Sequence, residues 1–237
     1  MSIFVSGAAG GIGKGACTVL KSRGEHVIGQ DLVGGEFVSP NMIGDLRSAD
    51  FIERIERTLS AGLQDGSLTG VVAAHGVSGA GRLSEIGRAR AETIMEINFE
   101  SVVTLFEKVR APLEKSGGAF VVIVSQAGLV GEAGNGIYCA SKFALSGWLR
   151  GLAKETSIRL RAIHPGGIRT PLLDNALRDM AAAQFITYEE LTAKRYGSLP
   201  AGRLGEPNEL GELIALALAL RAPGLVETAI TGGEVLW

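Results

Sequence analysis

Tyr138 and Lys142 lie four residues apart in the segment Tyr138-Cys139-Ala140-Ser141-Lys142. On a helix, positions i and i+4 share one face. An ammonium held near a phenol favours the phenolate and lowers the tyrosine pKa. A tyrosine tuned in that way exchanges a proton with an alcohol or carbonyl oxygen near neutral pH. The spacing alone is common, and its context gives it weight. Ser125, thirteen residues upstream, ends the apolar run Ala119–Ser125. In open α/β sheets, ligands bind at the carboxyl ends of strands. From there the Ser125 hydroxyl can hold a substrate oxygen beside the phenol, or simply cap a turn.

A second cluster opens the chain. The run Ile3-Phe4-Val5 leads into Ser6-Gly7-Ala8-Ala9-Gly10-Gly11-Ile12-Gly13, and a helix-compatible segment follows. Glycines at 7, 11 and 13 let the backbone turn tightly and approach a pyrophosphate. The helix behind them offers unpaired N–H groups and a positive dipole end. Asp31 comes eighteen residues after Gly13, at the end of the next apolar run. A carboxylate there accepts hydrogen bonds from the adenosine ribose hydroxyls and repels a 2′-phosphate. Leu32 follows it, and neither Arg nor Lys occurs in the turn before Gly13. These residues favour NAD over NADP. Asp45-Leu46 offers either a carboxylate near the adenine or a cap for the helix that follows.

Elements that must position these groups can be read from the pattern. Strands are expected at Ile3–Ser6, His26–Asp31, Phe37–Ile43, Gly70–Ala74, Ala119–Ser125, Ile158–Ile163 and Ala229–Val235. Helices are expected at Gly11–Arg23, Ala49–Ala61, Arg88–Glu114, Ile137–Lys154 and Asn208–Leu220. The alternation predicts a single-domain α/β fold, a doubly wound parallel sheet of about seven strands with helices on both faces. Phe120-Val121-Val122-Ile123-Val124 is apolar throughout, as a strand covered on both faces requires. Residues 170–200 carry only a weak pattern and are expected to form a mobile substrate lid. Ala127, Leu129 and Val130, with Leu172, Leu173, Leu177, Met180, Phe185, Ile186 and Tyr188, are candidates for an apolar pocket beneath it. Arg178, the one candidate anchor for an acid or phosphate there, reads better as an exposed helical arginine.

Composition excludes several classes. The 237 residues are 46% hydrophobic and 20% charged, too apolar for a disordered chain. The 34 glycines show no three-residue period, so collagen is excluded. A net charge of −2 without any Lys/Arg run leaves no electrostatic footprint for nucleic acid. The 2 cysteines and 3 histidines lack zinc-ligand spacing, so no metal is expected, and Cys17 and Cys139 read as small buried hydrophobes. Leu213–Leu220, the longest apolar run, is far short of the ~20 residues that span a bilayer, so no membrane partner is expected. Nothing before Ile3 reads as a signal peptide, so a cytoplasmic protein is expected.

Taken together, these motifs resemble the short-chain dehydrogenase/reductase family along essentially the whole chain. Gly7, Gly11 and Gly13 resemble its Gly-x-x-x-Gly-x-Gly element. Ser125, Tyr138 and Lys142 match its catalytic serine, tyrosine and lysine in order and spacing. Asn98, in Ile97-Asn98-Phe99, matches the asparagine that helps hold a water in a proton relay reaching the lysine. Pro165-Gly166, Ile168 and Thr170-Pro171 resemble the segment that meets the nicotinamide carboxamide, and Gly202–Pro207 the run before the last large helix. Where the family carries Asn-Asn-Ala-Gly, this chain has Ala73-Ala74-His75-Gly76, so only Gly76 survives. The support given by the first family asparagine is then lost or supplied elsewhere, and His75 is expected beside the cofactor in a structural or contacting role. His164 is expected to be structural. The chain stops at Trp237, where family members commonly continue through a short glycine-containing tail that often reaches a neighbouring subunit.

The resemblance implies one Rossmann-type domain over residues 1–237. It also implies reversible hydride transfer between NAD(H) and a secondary alcohol or ketone, with Tyr138 taking the hydroxyl proton and Lys142 lowering its pKa and binding the nicotinamide ribose. An apolar or cyclic substrate, hydroxysteroid-like or a small cyclic alcohol, fits the pocket candidates. A 3-hydroxyacyl thioester or 3-oxoacyl substrate, an epimerase or dehydratase on nucleotide sugars, and a non-catalytic dinucleotide-binding protein are the alternatives. Helices near Ala91–Arg110 and Tyr138–Lys154 correspond to common family interfaces, so a homodimer or homotetramer is expected.

Overall fold

Strands and helices alternate along the chain, and the computed structural model, which describes residues 2–61, 68–82, 84–197 and 199–233, shows how they stack. In order they are β1 Ser2–Ser6, α1 Gly11–Ser22, β2 His26–Asp31, β3 Val38–Ile43, α2 Ala49–Ala61 and β4 Leu68–Ala73. Next come α3 Arg88–Met95, α4 Ser101–Ser116, β5 Ala119–Ile123, α5 Gly136–Leu152, β6 Arg159–Pro165, α6 Pro171–Gln184, α7 Tyr188–Tyr196, α8 Pro207–Ala219 and β7 Leu225–Ile230. All strand pairs are parallel, in the order β3-β2-β1-β4-β5-β6-β7. The order reverses between β1 and β4, which opens a crevice at their carboxyl ends, the place where such sheets bind ligands.

Alternation along the strands divides the core in two. Phe4, Val71, Phe120 and Val122 face one way and pack on Leu105, Phe106 and Leu149 of α4 and α5. Ile3, Val5, Val72, Val121 and Ile123 face the other way, toward Cys17 and Leu20 of α1 and Leu210 and Ile214 of α8. Both cysteines are buried and free, and burial pushes the Cys17 thiol up to about 12, so it is an inert hydrophobe. Two glycines let α1 and α8 touch: a Cβ on Gly211 would lie 2.5 Å from the Gly15 carbonyl oxygen.

Three expectations are corrected. The helix expected over Arg88–Glu114 is broken by a π-helical turn at Glu96–Glu100, because the Asn98 side chain hydrogen-bonds the Val77 backbone and the ladder takes up an extra residue. The weak pattern after residue 170 hides two helices. Thr170 caps α6 and Thr187 opens α7 with a capping box, and both pack on a small cluster of their own around Leu177, Met180 and Leu191. The last strand runs Leu225–Ile230 instead of Ala229–Val235; it pairs from Leu160–Leu225 onward and includes the polar Glu227 and Thr228 that hid it. Glu234 and Val235, expected to end that strand, lie outside the described residues.

Candidate active site

Two connected chambers fill the crevice. The first is lined by Gly7, Gly10, Gly11, Ile12, Asp31, Asp45 and Leu46, and the second by Ser125, Tyr138, Lys142, Pro165, Gly166 and Ile168. Both include Ile12, Ala74, His75, Gly76, Thr170 and Leu172, so one groove crosses the sheet edge.

The first chamber is built around missing side chains. Gly7 turns with φ +72°, and a Cβ there would lie 2.8 Å from the His75 nitrogen. A Cβ at Gly13 would overlap the Gly7 carbonyl, and one at Gly11 would strike the Thr170 side chain. Gly13 therefore supports the turn from behind without lining the groove. Gly10, at the N-cap of α1, contributes no side-chain cap, and the first turn carries no acid. That leaves a bare helix N-terminus aimed at the groove, suited to a pyrophosphate. Asp31 is fixed beside it: its Oδ2 accepts from Ala9 N at 2.9 Å and its Oδ1 from Leu32 N at 2.7 Å. Asp45 also lines the chamber. It does not cap α2, since Ser48 takes that place by accepting from Phe51 N at 3.4 Å. Instead the Asp45 carboxylate accepts from the Arg47 guanidinium at 2.6 Å, which holds its pKa below the usual carboxylate range.

The second chamber brings together Ser125, Tyr138 and Lys142. Tyr138 and Lys142 share one face of α5, with the Lys142 Nζ 5.7 Å from the phenol ring centre. Lys142 is buried and donates to the Ile123 carbonyl at 3.1 Å. Ser125, just beyond β5, lies close enough to the Tyr138 phenol to lower its pKa. Burial dominates the electrostatics. It pushes the Tyr138 phenol up to about 12, against the lowering by Ser125, and pulls the Lys142 ammonium down to about 8. The lysine is not among the groups that shift the phenol, so the expected lowering is not seen: desolvation disfavours both charged forms. Asn98 is completely buried and lines neither chamber. Its Oδ1 accepts from Val77 N at 2.8 Å, and its amide donates to Val77 O at 3.0 Å and to Ser141 Oγ at 3.1 Å. It ties the segment after Gly76 to the helix that carries Tyr138 and Lys142.

His75 supplies the support that Ala73 cannot. Its Nε2 lies 2.8 Å from Ser101 Oγ, and Ser101 spends its own proton on the Ile97 carbonyl at 2.7 Å. The histidine therefore carries its proton on Nε2 and accepts from Ser6 Oγ, 2.6 Å from Nδ1. One side chain joins the end of β1 to the start of α4. Burial, with Lys142 nearby, pulls its pKa down to about 3, so it is neutral and serves as no base near neutral pH.

His164 keeps the structural place expected of it, while Gln126, Glu132, Asn135 and Arg195 had no sequence signal. His164, fully buried, lies with its Nδ1 3.1 Å from the Ser125 carbonyl oxygen and steadies the catalytic loop from below. Glu132 is paired with Arg195 across the second chamber at 2.6 Å, and accepts from Gln126 and Asn135 as well. Gln126, Glu132 and Asn135 fall between Ser125 and Tyr138, a segment bounded by motifs on both sides, but Arg195 arrives from α7 and only the tertiary fold pairs it. Of the apolar candidates, Leu172, Leu173, Leu177 and Met180 line the chamber. Phe185 does not; it is exposed and stacked on Arg82, while Ile186 and Tyr188 pack beside the α6–α7 cluster and Ala127 is buried outside the chamber. Arg178 is an exposed partner of Asp174.

These features fit a dinucleotide-binding α/β oxidoreductase, and comparison with known proteins gives the family. Residues 1–181 match the family model described as short chain dehydrogenase. A sorbitol-6-phosphate 2-dehydrogenase of Klebsiella pneumoniae is 31% identical over 257 residues, covering 98% of this chain and 95% of the relative. A 3-oxoacyl-(acyl-carrier-protein) reductase of Vibrio cholerae is 30% identical over 244 residues, covering 98% and 93%. Among solved structures, that of levodione reductase superposes with a TM-score of 0.84 at 21% identity, covering 98% of this chain and 96% of that one. The chain belongs to the short-chain dehydrogenase/reductase family, oxidoreductases that bind a nicotinamide dinucleotide and act on CH–OH groups. The glycine cradle, the bare helix N-terminus and Asp31 fit such a cofactor.

Proposed function

We propose that this protein is an NAD-dependent oxidoreductase that moves a hydride between the nicotinamide and an apolar or cyclic secondary alcohol or ketone. One observation carries the reading: the Tyr138 phenol shares one chamber with Ser125 and Lys142, in a groove whose other chamber presents Asp31. The relatives act, by name, on a polyol phosphate and on an acyl-carrier-bound ketone, so the substrate class rests on the chamber itself.

Support for NAD comes from the first chamber. Asp31 is locked in place by two backbone N–H groups, and its remaining lone pairs suit the ribose hydroxyls. Beside it stand the exposed Leu32 and Val33, which offer a 2′-phosphate nothing. Arg47, the arginine lining this chamber, is already engaged by Asp45 and Glu96. Gly7, Gly11 and Ile12 would hold the pyrophosphate, and Asp45 and Leu46 the adenine. Gly76, Pro165, Gly166, Ile168 and Thr170 would hold the nicotinamide end, with Lys142 on its ribose. The bound nicotinamide supplies the hydride acceptor or donor.

The chain's own residues handle the proton. Ser125 orients the substrate oxygen and stabilises charge that develops on it. Tyr138 gives that oxygen a proton in reduction and takes it back in oxidation. Asn98 acts as a positioning residue, fixing the segment after Gly76 against α5. With its pKa pushed up to about 12, Tyr138 is protonated at neutral pH and poised to donate. Alcohol oxidation is therefore expected to speed up as pH rises from about 7 to 10, while ketone reduction, whose donor stays protonated over that range, holds level. A rising oxidation profile of kcat/KM beside a level reduction profile checks this, and parallel slopes contradict it.

Cofactor choice has its own test. Asp31→Ser removes the carboxylate that repels a 2′-phosphate. The NAD/NADP ratio of kcat/KM is expected to fall at least tenfold, about 1.4 kcal/mol. An unchanged ratio contradicts the role of Asp31.

A further inference from the structure

One ion pair joins two parts of the protein that meet at the second chamber. Arg195 of α7 donates from Nη2 to Glu132 Oε1 at 2.6 Å, and the two side chains are only 21% and 10% exposed. Its Nη1 lies 3.8 Å from the Met180 sulfur of α6, and all three residues line the chamber. Burial works against the guanidinium charge, but Glu132 and Tyr196 together more than offset it. The hydride-transfer chemistry uses none of these residues.

Other polar links from this region are longer and exposed. Arg82 Nη2 reaches the Ala182 carbonyl at 3.4 Å, Gln184 Nε2 reaches the Ala133 carbonyl at 3.4 Å, and Arg90 Nη2 lies 4.0 Å from Asp179. Exposed contacts of that kind contribute little. Helix α7 also has little apolar hold, since Leu191 is its one buried residue. Breaking a shielded ion pair matters far more, because it leaves a charge in the interior without a partner. The Arg195–Glu132 pair is therefore the strong fastening of α7 to the catalytic loop.

Glu132 passes that fastening to both ends of the loop. Its Oε1 also accepts from Gln126 Nε2 at 3.2 Å, and its Oε2 accepts from Asn135 Nδ2 at 2.7 Å. Gln126 follows Ser125 directly, and Asn135 is the N-cap of α5, the helix of Tyr138 and Lys142. Without Arg195 the carboxylate that both amides face has no counter-ion, and the loop must open to water to hydrate it.

We propose that Arg195 is a positioning residue of this enzyme: by pairing with Glu132 it locks α7 onto the loop between Ser125 and Tyr138, so that the chamber wall and the proton-transferring groups keep one register. The inference rests on the reading of this chamber as the alcohol site.

The test uses the full chain and four variants. Arg195→Met keeps the stem and loses the charge, and Arg195→Lys restores the charge. Glu132→Gln and the double variant Glu132→Gln/Arg195→Met complete the set. Amide hydrogen exchange is read in α7, in residues 126–135, and in β5 as the control for global unfolding. Arg195→Met is expected to speed exchange at least tenfold in α7 and in 126–135 together, and to leave β5 unchanged. Exchange that quickens in α7 alone, or equally in all three, overturns the inference. Kinetics are measured with NAD and whichever of cyclohexanol, cyclopentanol and tetralol turns over fastest. In Arg195→Met, kcat is expected to fall at least tenfold with the KM for NAD within twofold of wild type. Arg195→Lys is expected to recover kcat to within about threefold. The double variant is expected to lose no more than the worse single one, since both break the same link. An unchanged kcat, no recovery with lysine, or losses that multiply in the double variant overturn the inference. Coupled exchange in a protein that oxidises none of the three alcohols would instead sink the hydride-transfer reading and leave the locking of α7 to the loop standing.

Discussion

His75 is held neutral inside the protein by burial and by the neighbouring Lys142, with a pKa of about 3. In the unfolded chain an ordinary histidine titrates near 6.5. Between these values the unfolded chain binds a proton that the native protein refuses. Its stabilising contribution is therefore complete above about pH 6.5 and is lost as pH falls toward 3, at about 1.4 kcal/mol per pH unit of that window. Denaturant midpoints of the wild type are expected to fall between pH 7 and 4, and His75→Gln is expected to flatten that slope. Equal slopes would show that His75 is not desolvated. The same residue shows what sequence conveys at this scale. Gly7, Asp31, Ser125, Tyr138 and Lys142 were legible because their spacing reflects a local turn, strand end or helix face. The partners of His75, Ser6 and Ser101, lie on different elements, as do those of Glu132, and no local pattern records them.

Among the elements, Arg161 of β6 has the most connections. Its fully buried guanidinium donates to the carbonyls of Leu160, Ala217, Leu220, Ala222 and Gly224. It thereby closes the C-terminus of α8 and the approach to β7. Arg161→Met would leave those carbonyls without donors in a dry interior, and is expected to cost about 3 kcal/mol or more by chemical denaturation. A loss under 1 kcal/mol would mean the loop finds other donors. Packing of α1 on α8 is similarly exact, because backbone faces backbone at Gly15 and Gly211. Gly211→Ala is expected to cost about 1–3 kcal/mol by the same measurement. The parallel sheet of about seven strands, covered on both faces, was readable from runs such as Phe120–Val124, whose every residue is apolar; the strand order came from the structure. The π-helical turn at Asn98 was not, since its side chain bonds the backbone of Val77, twenty-one residues away in sequence. Helices α6 and α7 were also hidden, because they bury few residues and rest mostly on each other.

At the scale of the molecule, α6 and α7 reach over the second chamber, and we propose that they are its lid: Leu172, Leu173, Leu177 and Met180 from α6 and Arg195 and Tyr196 from α7 form its wall. We also propose that α4 and α5 build a homodimer or homotetramer, supported by Phe143, a large apolar residue left 45% exposed on α5. Light scattering at micromolar concentration is expected to give two or four times the chain mass, and a monomer contradicts it. The whole account turns on Tyr138. Its most direct measurement is steady-state formation of reduced nicotinamide from NAD and a panel of cyclic secondary alcohols, with wild type and Tyr138→Phe side by side and NAD affinity measured for both. The account predicts turnover by the wild type, a loss of at least a hundredfold in Tyr138→Phe, and NAD affinity nearly unchanged. Turnover retained within about tenfold in Tyr138→Phe would contradict it.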